Sequence, residues 1–412
     1  METSSIALAA DYLLETIAII LIAGMIFGKI SDYIKIPDVV LYILAGIILG
    51  PHALGWISVE KYEITNQLIL TFGAAYILYD GGREIKLKIL NKVKVSVMLL
   101  ATLGVLISTF ITGYFASRIF NIDIMTALLL GSVIASTDPS VLVPLFKKVK
   151  INNKLKQTII SESAFNDAAG AIITFAIIGI ISGKSFSAIG STLELLKTAG
   201  GGILVGLVIG YISSLLVAHK EYAILKEYPA ELSVATVIIS YILSNKLGFS
   251  GFMSVFIVGM ICGNKKVFKF YMQDEYFTTQ HRFREVLTII LRMMIFILLG
   301  THVELVALAK YWKGALAVVL ILMFVARPIS VLISVSLDRK AKWSLREIIY
   351  LMWVRETGVI PAALSGMIVT LGIPNAQIIS SVTFATILIT LTVQASTSAA
   401  LARYLKLDED YK

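Results

Sequence analysis

Ser161-Glu162-Ser163-Ala164-Phe165-Asn166-Asp167-Ala168-Ala169-Gly170 opens an apolar run that reaches Ile181, so Glu162, Asn166 and Asp167 must lie inside or at the edge of a bilayer. An aspartate at the centre of a transmembrane helix costs ~2.5–3.5 kcal/mol on insertion scales, which makes such carboxylates functional candidates by default; the alternative is a carboxylate that only glues helices together. On a helix, Ser163, Asp167 and Gly170 stand at i, i+4 and i+7 and share one face. Glu162 precedes Asp167 by five residues and is turned ~140° away. The two carboxylates therefore meet different neighbours. Glu162 is expected to find a structural cation, Asp167 to face a path. A single carboxylate couples two opposed fluxes if a proton and a cation exclude each other on it, and a cage of carboxylate, hydroxyl and carbonyl oxygens suits a hard cation.

Further polar groups interrupt other apolar runs. Ser136-Thr137-Asp138-Pro139-Ser140 sits inside one; proline removes an N–H and disfavours helix before it, so the helix should break near Asp138. A broken helix exposes carbonyls and half-helix ends, which is how transporters build ion sites, whereas a mere kink would do nothing. Arg327, before Pro328, stays charged and needs a buried carboxylate, for which Glu162 is the expected partner. A second interruption reads Arg355-Glu356-Thr357-Gly358-Val359-Ile360-Pro361. Asp80 lies in Tyr79-Asp80-Gly81-Gly82; an intramembrane aspartyl protease would pair Tyr-Asp with Gly-Asp, and no Gly-Asp dipeptide occurs. His52, His219, His281 and His302 are scattered at span edges and make no metal site. Cys262 stands alone, which rules out an internal disulfide.

The elements that carry these residues follow from composition. Of 412 residues 57% are hydrophobic and 15% charged, with a mean hydropathy of +0.86, the profile of an all-α, many-span membrane protein. No Lys or Arg precedes the first apolar run, so a cleavable leader is not expected and the first helix is retained. Thirteen spans are predicted at 13–28, 38–55, 66–82, 95–117, 123–146, 157–182, 198–218, 230–245, 250–264, 286–301, 314–336, 347–370 and 377–402. Of the 36 Lys and Arg, 26 follow odd-numbered spans, 7 lie on the other side and three (Arg292, Arg327, Arg355) lie within spans. That asymmetry puts the amino terminus outside and the carboxyl terminus in the cytoplasm, and makes the net charge of +9 topological, not a nucleic-acid patch. The basic segment from Arg83 to Lys94 is read as surface topology signal, and the connection 265–284 as a linker on lipid headgroups. Gly202, Gly206 and Gly210 in span 7, and Gly251, Gly259 and Gly263 in span 9, are expected at close helix contacts. The interrupted spans 5 and 12 lie seven apart. An odd offset reverses orientation, so the two halves should be inverted repeats with span 7 as connector.

In this order, Ile36-Pro37 to Gly50-Pro51, Thr137-Asp138-Pro139, Glu162-Ser163 with Asn166-Asp167, Ala326-Arg327-Pro328 and Gly358 to Leu364 resemble the sodium/proton antiporters of the monovalent cation/proton antiporter superfamily, nearest the NhaP type. The resemblance covers essentially the whole chain. It implies a homodimer in the cell membrane whose six-helix core, built on crossed broken helices 5 and 12, moves like an elevator against a scaffold. Residues 1–94 would be scaffold, 95–182 the first half of the core, 183–303 linker helix 7 with scaffold helices 8–10, and 304–412 the second half of the core and a short cytoplasmic tail. By the same resemblance Asp167 binds ion and proton, with Asn166 before it. Ser163 and the Thr137 carbonyl are ion ligands, and Asp138 acts through water or helix-end neutralisation. Glu162 with Arg327 is the structural pair, and Asp80 helps order the site. Relatives carry an arginine four residues before the helix 12 proline; this chain has Thr357, leaving the roles of Arg355 and Glu356 open. No soluble domain is expected after Lys406. No cofactor is implied beyond the transported Na+ or Li+, with K+/H+ exchange the nearest rival and a cation channel a more distant one. Asn166 has no titrating charge, so exchange is expected to be electroneutral.

Overall fold

Capping side chains start several of the helices that the hydropathy pattern demands. The computed structural model describes residues 2–34, 37–57, 63–138, 146, 149–183, 188–219 and 222–408, and among these the chain is helical apart from turns and one isolated bridge between Ile151 and Asp408. The helices are α1 (Glu2–Ile34), α2 (Asp38–Leu49), α3 (Glu63–Glu84), α4 (Leu87–Phe120), α5 (Ile124–Val133), α6 (Asn153–Ile181) and α7 (Ala188–Ala218). There follow α8 (Pro229–Lys246), α9 (Gly251–Gly263), α10 (Asp274–Thr301), α11 (Leu305–Leu337), α12 (Leu345–Trp353), α13 (Val359–Thr370) and α14 (Ala376–Tyr404). Asp123 caps α5 by accepting from Met125 and Thr126 N–H, Asn152 caps α6, and Ser344 with Glu347 forms a capping box on α12. Among the described residues, six stretches are long and apolar enough to cross a membrane: Ala10–Ile34, Leu87–Phe120, Asn153–Ile181, Leu196–Ala218, Leu305–Leu337 and Ala376–Tyr404. Since α12 and α13 are the halves of the twelfth span, the described helices follow the order of the thirteen predicted spans, with most of span 5 beyond Asp138 lying outside the described residues. This is a polytopic membrane protein.

Several helices start or end well away from the predicted span limits, two of them at basic connections. The basic run after Arg83 is helical from Leu87, where it forms the first turns of α4, with Lys88, Lys92 and Lys94 exposed. Only Ile85 and Lys86 separate α3 from α4, because neighbouring amides take up the backbone groups at that turn. Gln157 Oε1 accepts from Lys86 N–H (2.7 Å) and its Nε2 donates to the Glu84 carbonyl (3.0 Å). Asn264 does the same for Leu87 N–H and the Ile85 carbonyl (3.1 and 2.6 Å). Likewise the predicted linker 265–284 is helical from Asp274, where α10 begins.

Contacts sort the helices into two groups. One joins α9 to α3, α7 and α8, and α10 to α1, α2 and α3; the other joins α4 to α5 and α6, α11 to α4 and α14, and α13 to α14. In the second group the ladder widens to π geometry at Leu100–Gly104 in α4, Leu322–Ala326 in α11 and Thr390–Ala395 in α14. Helices α4 and α11 hold corresponding places in the two halves, and each carries a π turn in its middle.

Candidate ion-binding site

Two helices stop short in the middle of the molecule, and the backbone groups they release dictate the site. Helix α5 ends at Val133, and residues 134–138 are not helical. The break comes earlier than the proline alone requires, because side chains take the freed groups. Arg355 Nη2 donates to the carbonyls of Ile134 and Ala135, both at 2.7 Å. Asn166 Oδ1 accepts from Thr137 N–H (3.1 Å) and Asn166 Nδ2 donates to Thr137 Oγ1 (2.9 Å). Ser163 Oγ donates to the Thr137 carbonyl (2.6 Å). Ile36, Pro139, Ser140 and Lys184 lie outside the described residues.

The second interruption, between Trp353 and Val359, is stitched to the first. Asp138 N–H donates to the Glu356 carbonyl (2.8 Å), and Val359 N–H donates to Asp138 Oδ2 (3.0 Å). The Asp138 carboxylate thus sits at the positive end of α13, while the Arg355 guanidinium sits at the negative end of α5; each break supplies the countercharge for the other. Gly358 is required here, because a Cβ at that position would overlap the Asp138 carboxylate. The π turn of α14 completes the satisfaction: Thr357 N–H donates to Thr390 Oγ1 (3.1 Å) and Gln394 Nε2 donates to the Trp353 carbonyl (2.6 Å). Arg355, whose role the sequence left open, is therefore a helix-end cap.

Glu162 and Arg327 form the expected pair, with both carboxylate oxygens engaged by the two terminal guanidinium nitrogens. Arg327 also donates to the carbonyls of Leu351 (3.0 Å) and Val354 (3.4 Å), so the pair ties α6 and α11 to the end of α12. Both residues are buried, and a fully hydrogen-bonded geometry is what allows that.

Asp167 is buried on α6 next to this crossing, near Asp138 and Ser136, and its Oδ1 makes no hydrogen bond. Ser163 and Asn166, on neighbouring turns of α6, are buried and bound to Thr137. The structure thus gathers Thr137, Asp138, Ser163, Asn166, Asp167, Arg355 and Glu356 around one crossing. Asp80 meets other partners: Arg284 of α10 at 2.9 Å and Thr288 at 3.4 Å. What converges at the crossing is oxygen-rich, with one carboxylate oxygen uncommitted, and that set of donors suits a hard monovalent cation or a proton.

Residues 17–404 match the transmembrane sodium/hydrogen exchanger family. This chain belongs to that family. The exchanger is 31% identical to Na(+)/H(+) antiporter 1 of Methanocaldococcus jannaschii, over 95% of both chains. It is 28% identical to the K(+)/H(+) antiporter NhaP2 of Shewanella oneidensis, covering 95% of this chain and 66% of that protein. Its fold superposes on the structure of the sodium proton antiporter MjNhaP1 from Methanocaldococcus jannaschii at pH 8 with a TM-score of 0.83, at 28% identity over 97% of this chain and 99% of that one. The exchanger is accordingly a cation/proton antiporter, a transporter and not an enzyme.

Proposed function

We propose that this exchanger moves Na+ or Li+ against H+ by alternating access, with cation and proton competing for Asp167. The observation that carries the reading is the uncommitted oxygen of the buried Asp167 beside an unwound, oxygen-rich backbone. Ser163 and the Thr137 carbonyl are the further ion ligands, and Asn166 holds the unwound chain in place. Asp138 neutralises the start of α13. Asp80, engaged by Arg284, acts on the approach to the site. The cycle is electroneutral, because Asn166 does not titrate and Glu162 is committed to Arg327. The alternative cargo is K+, favoured by the likeness to a protein named as a K(+)/H(+) antiporter.

The deciding experiment is proton movement in proteoliposomes given Na+, Li+ or K+ gradients in turn. Na+- and Li+-driven flux with none for K+ supports the reading; flux with K+ alone reassigns the cargo. Competition further requires that apparent cation affinity fall as pH falls. Electroneutrality requires that the flux null where the two concentration gradients balance, at any valinomycin-set voltage.

The core is assigned to the group of α4–α6 and α11–α14, close to residues 95–182 and 304–412, moving against the helices of 1–94 and 183–303 in a homodimer of the plasma membrane. The contact grouping supports that division. The amino terminus is assigned to the outside, on the distribution of Lys and Arg. A cysteine at Lys150 should be protected from impermeant outside reagents and one at Lys184 labelled; the native Cys262 is buried. Reversed labelling in intact cells removes the orientation.

A further inference from the structure

Glu356 is fully buried, and neither of its carboxylate oxygens finds a hydrogen-bond partner in another residue; the one donor that acts on it is its own backbone N–H. Its position is not loose: its carbonyl accepts from Asp138 N–H at 2.8 Å, where the two broken helices cross. Among the described residues, the charges that act on it are Asp138, Arg327 and Arg355, and it acts in turn on Tyr350, whose buried hydroxyl also has no partner. Neither arginine serves as its hydrogen-bonded counterion. Arg327 gives its two terminal nitrogens to Glu162 and also reaches the Leu351 and Val354 carbonyls. Arg355 directs Nη2 at the Ile134 and Ala135 carbonyls, and its Nη1 meets nothing. An ionised carboxylate buried with no hydrogen bond from another residue and close to a like charge is a costly arrangement for a protein to hold; a proton on it removes most of that cost.

We propose that Glu356 is a second proton-binding site of the exchanger, whose proton stays in place while Asp167 exchanges its own. The proposal rests on the reading of Asp167 as the exchanging group, and charge balance ties the two together. Glu162 and Arg327 cancel, and so do Asp138 and Arg355, each seated at an oppositely charged helix end. With Glu356 neutral, one monovalent cation on Asp167 leaves no net charge among these groups. With Glu356 ionised, an uncompensated charge would cross the low-dielectric core along with the cargo. Glu356 is thus a neutral acid where the sequence suggests a charge.

Infrared spectroscopy of the purified full-length protein at neutral pH tests this, because a protonated carboxyl group has a carbonyl stretch that a carboxylate lacks. Two acid bands are expected: one that vanishes on adding Na+ and is missing from Asp167→Asn, and one that Na+ leaves untouched and that is missing from Glu356→Gln. Isotopic labelling keeps the test open if Glu356→Gln fails to fold. Carbon-13 glutamate should move the Na+-insensitive band, to which Glu162, as a carboxylate bound to Arg327, contributes nothing. Absence of any glutamate acid band, or its loss on adding Na+, overturns the proposal. Failure of the Asp167 reading appears separately, as a Na+-sensitive band that survives in Asp167→Asn.

Discussion

The packing of α3, α7 and α9 and the crossing of α5 with α12 and α13 solve the same problem, close approach inside a membrane, in opposite ways. In the first, glycines bring backbone onto backbone. A Cβ at Gly259 would overlap the Tyr79 carbonyl, one at Gly263 the Arg83 carbonyl, and ones at Gly202 and Gly206 would press on the carbonyls of Ser250 and Ser254. Such a contact has one geometry and no adjustable part. At the crossing the chain is held by side chains, and several buried polar atoms there, including Asp167 Oδ1, Ser136 Oγ and Thr357 Oγ1, have no hydrogen-bond partner. Contact by shape makes a frame. Contact by charge, with hydrogen-bonding capacity left unfilled, is what the proposed exchange of occupants requires.

Substitutions can break this contrast in a fixed order of effect. Asp167→Asn keeps size and removes the exchangeable charge, so cation-dependent proton flux in proteoliposomes should fall below detection while the melting temperature holds; retained flux would remove Asp167 from the mechanism. Glu162→Ala leaves the Arg327 guanidinium buried and unpaired, which should cost about 3–5 kcal/mol. Its signature is a lowered melting temperature with apparent cation affinity nearly unchanged, and a stable variant that has lost ion binding would contradict it. Gly259→Val overpacks the frame and should cost about 1–3 kcal/mol, read as a lower melting temperature, while the remaining folded protein still exchanges. If this substitution leaves stability intact but abolishes exchange, frame and moving part have been assigned the wrong way round.

The smallest expected effect lies at the edge of the frame. Burial, with the Arg83 guanidinium nearby, lowers Lys265 to about 8, against an ordinary lysine near ~10.4. The folded chain sheds this proton before the unfolded one does. The penalty is therefore fully present below pH 8 and is lost as pH rises from 8 toward ~10.4. Lys265→Gln should be slightly more stable than the parent at neutral pH, and the difference should shrink at alkaline pH; a difference independent of pH would exclude titration of Lys265 as its cause.

How much of this was legible in sequence depends on how far a residue's partner lies along the chain. Glu162 and Arg327 could be matched because an arginine in an apolar span must find a carboxylate, and few exist. Gly202 and Gly206 declared their packing by spacing alone. The break at Asp138 was readable from the proline that follows it, while its role at a helix end came only from the family resemblance. Arg355 was not, since nothing local indicates that its side chain reaches Ile134 and Ala135, more than two hundred residues away. The end of α5 at Val133 was hidden for the same reason: it is set by Arg355 and Asn166, not by Pro139 alone. The helical start at Leu87 was obscured because a lysine-rich run reads equally as surface signal or as the exposed face of a helix.

Two residues, Ile85 and Lys86, join α3 to α4, and three, His302 to Glu304, join α10 to α11. A two-residue connector reaches at most ~7 Å when extended, so neither joint can pay out much chain. With the spans alternating in direction, these joints lie on opposite faces of the bilayer. On the proposed division into a frame and a moving core, displacement of one helix group against the other is expected to be small at these two joints and to grow with distance from them. Pairs of spin labels flanking Lys86 and His302 should report almost constant distances through the cycle, while pairs spanning the two groups far from these joints record the full stroke.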